Sequence, residues 1–188
     1  MLTRALNLFW QRGYEAATVA ELADTMGIRS GSIYACFGSK ANLFREALML
    51  YGSTVAGAPL RMLAGQPDVR TAVESMLHVY ADAIADPASP SGCMLTLAAM
   101  VGSDESEPVR RLLADVRSRI FDATRARIAE LMGAGERGDA QATGIARFFT
   151  SVVFGMSIQA RDGLTRRELD AVIACAMTAW DSLLDPDA

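Results

Sequence analysis

Residues 18–40 read TVAELADTMGIRSGSIYACFGSK, and the fold follows from them. The segment opens on a capping box, Thr18-Val19-Ala20-Glu21. Here the threonine hydroxyl can accept from the Glu21 amide while the Glu21 carboxylate reaches back to the Thr18 amide. The helix started there turns Val19, Leu22, Ala23 and Met26 to one side. Gly27 can take the left-handed conformation that a tight interhelical turn needs, and Ile28 supplies a core contact across it. A second short helix, Ser30 to Cys36, has Ile33 and Phe37 as its apolar side, with Ser30, Gly31, Ser32 and Tyr34 near its start or on its outer face. Small hydroxylated residues at a helix start suit close approach to phosphates and base edges in a major groove.

Upstream, Leu2, Ala5, Leu6, Phe9 and Trp10 recur at helical spacing and Gly13 follows as a stop. Downstream, Ser39 can cap a fourth helix that carries Leu43, Phe44, Ala47, Leu48 and Tyr51. Lys40 lies in that helix's first turn, where a cation opposes the dipole; a phosphate partner rationalises it, and a solvated side chain is the plain alternative.

These motifs together resemble the TetR/AcrR family of transcriptional regulators. The matching residues are Ala5-Leu6, Leu8-Phe9, Gly13-Tyr14, Thr18-Val19, Leu22-Ala23, Met26-Gly27-Ile28, Gly31-Ser32-Ile33-Tyr34, Phe37-Gly38-Ser39-Lys40 and Leu43-Phe44. The resemblance implies that Thr18, Tyr34 and Lys40 contact phosphate and that Arg29, Ser30, Gly31 and Ser32 sit closest to base edges. Arg29 stands where the family more often has a small capping residue, and an arginine there can read guanine N7 and O6. Ala35-Cys36 replaces bulkier residues, and the basic arm usual upstream of the first helix is missing from this sequence.

The rest of the chain reads as helical too. With 188 residues and 51% apolar content, the chain can bury a core without disulfides or metals. Cys36, Cys93 and Cys175 form no ligand pair, and their odd number argues for reduced thiols. Neither a signal peptide nor a membrane span is legible, so a cytoplasmic location is expected. The net charge of −4 divides into +1 over residues 1–50 and −5 over the remainder. That asymmetry has the sign a nucleic-acid binder needs, but it is small.

Val73, Met76, Leu77, Tyr80 and Ile84 mark a helix ended by Asp86-Pro87, and a short apolar helix is expected from Cys93 to Val101. Ser106-Glu107-Pro108 opens a long amphipathic helix through Leu131. From about Ala140 to Arg161 the helix is apolar almost all round, and a last helix begins with a second capping box, Thr165 to Glu168. The expected architecture is therefore all-α: a three-helix helix-turn-helix domain over 1–48, then a helical ligand-binding and dimerisation domain over 49–188.

A helix covered on both faces calls for a twofold partner, so Phe148, Val152 and Met156, with Val172, Ala176 and Trp180, are expected at a homodimer interface. The family resemblance implies the same interface. A dimer that places two recognition helices about 34 Å apart would read a palindromic double-stranded operator. The middle helices offer Met62, Met76, Met100, Tyr80 and Phe121 as a pocket for a small, largely apolar inducer. Cys93 and Phe149 are further candidate lining residues, and ordinary core packing is the plain alternative for each.

No glycine-rich phosphate loop, zinc spacing or nucleophile elbow is present, so neither cofactor nor catalysis is expected. Cys93 at a helix start can also be read as an oxidant or electrophile sensor. Two further classes stay open at this stage: a helical binding protein that no longer reads DNA, and a small helical enzyme using His78 or Cys93.

Overall fold

The computed structural model describes residues 1–99, 102–133 and 135–184, and all regular elements among them are helical. The helix-turn-helix unit consists of α1 (Leu2–Ala16), α2 (Val19–Met26) and α3 (Ser30–Phe37). Both halves of the capping box at Thr18 are formed, and Gly27 closes α2 in the left-handed conformation, φ 74°. The following α4 (Lys40–Tyr51) is capped by Ser39, whose hydroxyl accepts from the Asn42 amide.

Gly13 does more than stop a helix. At φ 78° and ψ 170° it kinks α1, and a further turn runs on to Ala16. The kink sends the Tyr14 amide to the carbonyl of Ala98 at 2.7 Å instead of back along its own helix. A Cβ on Gly13 would stand 3.0 Å from that same oxygen, so both the backbone conformation and the close approach require glycine.

Aromatic packing fills the unit. Phe9 meets Phe44 edge-on at 5.0 Å, Tyr14 meets Phe44 at 5.3 Å, and Trp10 meets Tyr51 at 4.8 Å. Pairs in this geometry contribute beyond the area they bury.

The division expected between residues 48 and 49 falls inside α4. That helix then passes through a wide π turn, Gly52–Ala56, into α5 (Gly57–Gly65). The body continues with α6 (Val69–Ile84), α7 (Met94–Leu97), α8 (Glu107–Met132), α9 (Glu136–Arg161), α10 (Arg166–Thr178) and α11 (Trp180–Leu184). α5 packs along α6, α8 along α9, and α10 closes over α6 and α9.

Two expected elements differ in detail. α7 is a single turn from Met94 to Leu97, and the end of the helix expected through Val101 lies outside the described residues. The last helix breaks at Ala179, whose amide turns back to Ala176 at 3.3 Å; the break separates Trp180 from α10. Periodicity runs straight across that break because the apolar spacing is unaltered by one tightened turn.

Candidate functional site

The exposed face of α3 is built by the turn before it. Arg29 is the N-cap residue, yet its side chain makes no capping hydrogen bond and it is exposed. Ser30 is exposed as well, and Gly31 has nothing within 4 Å of where a Cβ would be. Ser32 is half-buried, while Tyr34 is 55% exposed. Only Ile33 in this helix is fully buried, and it anchors the helix from behind. Arg29, Ser30, Gly31 and Tyr34, with the half-buried Ser32 beside them, thus form an open surface at a helix N-terminus, the end of a helix that favours an anion.

Thr18 and Lys40, at the starts of α2 and α4, are engaged with the protein. The Thr18 hydroxyl donates to the Glu21 carboxylate at 3.0 Å, and the Thr18 amide donates to the same oxygen at 3.0 Å. Lys40 Nζ donates to the carbonyl of Glu15 at 3.2 Å and lies 4.5 Å above the Tyr14 ring. This gives the lysine a partner at the C-terminal end of α1, where a cation is favourable. Burial lowers the pKa of the Lys40 ammonium, against the pull of Glu15 and Glu21. One of its three donors is used here, which leaves two.

The second region lies where α4 meets the body. Leu43, Phe44 and Ala47 of α4 are fully buried in the unit that carries α3, while Leu48, Met49 and Gly52 line a cavity of about 370 Å³ against Leu112, Val116 and Ile120 of α8. Arg45 and Arg119 stand on its wall. Behind it is a smaller, more enclosed chamber of about 40 Å³, lined by Met76, Tyr80, Cys93, Thr124, Thr150 and others. Ala56, Leu60, Leu95 and Ile120 line both.

Of the expected pocket residues, the structure brings together Met76, Tyr80 and Cys93. Met62 lies outward on α5, 36% exposed, and accepts from the Gln66 amide nitrogen at 3.5 Å. Phe121 lies under the Arg147 guanidinium at 3.7 Å, and Phe149 packs in the core against Trp180 at 5.7 Å; neither borders the chamber. Met100 lies outside the described residues. Helical periodicity marks which residues are apolar but not which side of α8 or α9 faces the chamber.

The expected interface residues divide similarly. Phe148 is 36% exposed, and Val152 and Val172 are half-buried, whereas Met156, Ala176 and Trp180 are buried within the single chain. α9 is covered on one side by α8 and α10 and keeps an open side that includes Phe148, Ser151 and Ile158.

Contacts legible only in three dimensions tie the two regions together. The Glu15 carboxylate accepts from the Ser103 amide at 2.9 Å, and Arg110 donates to the Ser103 carbonyl at 2.7 Å. Hydrogen bonds from Ser103 lower the Glu15 pKa. Trp10 Nε1 donates to the carbonyl of Gly92 at 3.0 Å, and Arg161 reaches the carbonyls of Trp10, Gln11 and Ser91. No local signal marks the pairs Trp10–Gly92 and Glu15–Ser103, which lie 82 and 88 positions apart.

Residues 1–47 match the family model described as bacterial regulatory proteins, tetR family. A solved structure of the TetR family regulator CifR, a cysteine mutant complexed with 26-bp double-strand operator DNA, is 37% identical. The match covers 95% of this chain and 94% of that one, with a TM-score of 0.88. The HTH-type transcriptional repressor BdcR of Escherichia coli is 29% identical over 184 residues, which is 98% of this chain and 89% of BdcR. The repressor ComR of the same organism is 25% identical over 185 residues, 97% and 88% of the two chains.

Proposed function

Because the chain belongs to the TetR family of DNA-binding transcriptional regulators, we propose that it is a repressor released from a palindromic operator when a small, largely apolar molecule occupies its C-terminal body. Its relatives regulate transcription and are not enzymes. The observation that carries the proposal is the two-sided role of α4. Phe44 and Ala47 hold it to the unit bearing α3, and Leu48, Met49 and Gly52 form a cavity wall one turn further on. A molecule that spreads α4 from α8 therefore moves α3 as well.

On this reading, Arg29, Ser30, Gly31 and Ser32 meet base edges and Tyr34, Thr18 and Lys40 meet phosphate. The active form is a homodimer joined through the open side of α9 and adjoining residues of α10, with Phe148, Val152 and Val172 at the contact. The effector acts only by binding the released state more tightly than the DNA-bound one, since equal affinity for both shifts nothing.

The test is fluorescence anisotropy with DNA from upstream of the protein's own gene, at a series of stated salt concentrations. Sequence-selective binding that weakens steeply with salt is the expected outcome, because displaced counterions dominate phosphate contact. Equal affinity for that DNA and a scrambled duplex would sink the operator reading. Among the described residues no helix is long and apolar enough to cross a membrane.

A further inference from the structure

Three buried side-chain polar atoms among the described residues have no hydrogen-bond partner: Tyr80 Oη, Thr96 Oγ1 and Arg127 Nε. Only Tyr80 belongs to a residue on the wall of the inner chamber. Its hydroxyl sits within interaction range of Cys93 and Ser157, at a geometry that falls short of a hydrogen bond to either. Buried tyrosine hydroxyls are ordinarily paired, so this unused donor marks a place where a partner belongs.

The surrounding groups define that partner. The Thr124 and Thr150 hydroxyls already donate to the carbonyls of Ile120 and Ala146, 2.8 and 2.7 Å away, so neither has a proton to offer. Tyr51 Oη donates to Cys93 Sγ at 3.2 Å. Burial raises both phenol pKa values well above the ordinary value, which keeps Tyr51 and Tyr80 as O–H donors at neutral pH. The chamber has no charged residue on its wall, so an ion inside it would be buried without a counterion.

We propose that the inner chamber is the recognition end of the effector site and that it takes a neutral, mainly aliphatic molecule whose single acceptor oxygen, of carbonyl or ether type, accepts from Tyr80 Oη. The apolar remainder of the molecule extends past Leu60, Leu95 and Ile120 into the outer cavity, whose wall is the second half of α4. The chamber of about 40 Å³ has room for the polar end alone, and the outer cavity of about 370 Å³ takes the chain. This rests on the reading that the body binds an effector.

Calorimetry on the full chain with the 2-alkanones from 2-pentanone to 2-nonanone, the matching alkanoates and the matching alkylamines tests it, alongside Tyr80→Phe. Saturable binding of at least one ketone is expected, tighter than its alkanoate or alkylamine and about fivefold weaker in Tyr80→Phe, the loss of one neutral hydrogen bond. Thermal melts establish that the variant, which keeps the ring, is folded. Equal ketone affinity in the folded variant, preference for a charged homologue, or no ketone binding at all would overturn the proposal, the last leaving Tyr80 to a water molecule. Operator anisotropy with the same ketone separates the two readings. Binding through Tyr80 without a change in DNA affinity upholds the site and removes its role in release.

Discussion

Arg161 Nη2 donates to the carbonyl of Trp10 at 2.9 Å, joining the last residue of α9 to the middle of α1. The acceptor is free because the Gly13 kink sends the Tyr14 amide, its partner in an unbroken helix, to Ala98 instead. A cation at this point also suits the C-terminal end of α9. Replacing Arg161 by glutamine is expected to cost about 1–3 kcal/mol, because two part-buried carbonyls and an exposed one lose a charged donor. Urea unfolding measures the loss. A variant as stable as the parent would mean that these carbonyls find water.

Arg29 is expected to read a base rather than a phosphate. Arg29→Ala should then lose about 1–3 kcal/mol of discrimination at one operator position while discrimination elsewhere is retained. Anisotropy titrations against single-base operator variants decide it; a uniform loss across all of them would assign Arg29 to the backbone.

The two capping boxes predict an acid-sensitive stability. Hydrogen bonds from Thr18 and from Thr165 hold the Glu21 and Glu168 carboxyls below their usual pKa. A depressed folded-state pKa contributes stability that is present above the unfolded value, about 4.3, and is lost as the pH falls through the folded one. Melting temperature should therefore drop below that pH, and it should drop less steeply in Glu21→Gln/Glu168→Gln, which keeps an acceptor for both threonine amides but cannot titrate. An unchanged slope in the double variant would remove the caps as its cause.

Phe148, exposed on α9, offers the simplest probe of assembly. Phe148→Glu should convert a dimer into a monomer in sedimentation velocity at micromolar concentration without lowering helix content. A dimer that persists in this variant would place the interface elsewhere.

Thiol labelling separates Cys36 from Cys93. Cys36 is exposed and should react with iodoacetamide at the rate of a free thiol, whereas Cys93 is buried and accepts from Tyr51. Peptide mapping should find Cys93 modified only on the timescale of opening. Comparable rates for the two would contradict the enclosed chamber.

The helix-turn-helix was legible from residues 18–40 because its signals are local: a cap, a turn glycine and a short apolar face all act within a few positions. The same holds for Thr165 and for the helix opened by Pro108, both found where the sequence places them. The chamber was legible only in part. Met76, Tyr80 and Cys93 stood out by type, but Phe121 and Phe149 carry the same apolar signature and face Arg147 and Trp180 instead. Likewise, Met156 and Trp180 looked unpartnered because sequence spacing does not reveal that α8, α10 and α11 already cover that side of α9. Long-range pairs such as Arg161 with Trp10 have no periodic trace at all.

The π turn at Gly52–Ala56 sets an angular phase as well as a cavity wall. Residues in a regular helix advance by about 100° each, so the one extra residue held in that turn fixes how far the DNA-reading head is rotated about α4 relative to the body. Removing a residue there would leave both halves intact and point the head about a quarter turn away from the groove it is built to enter.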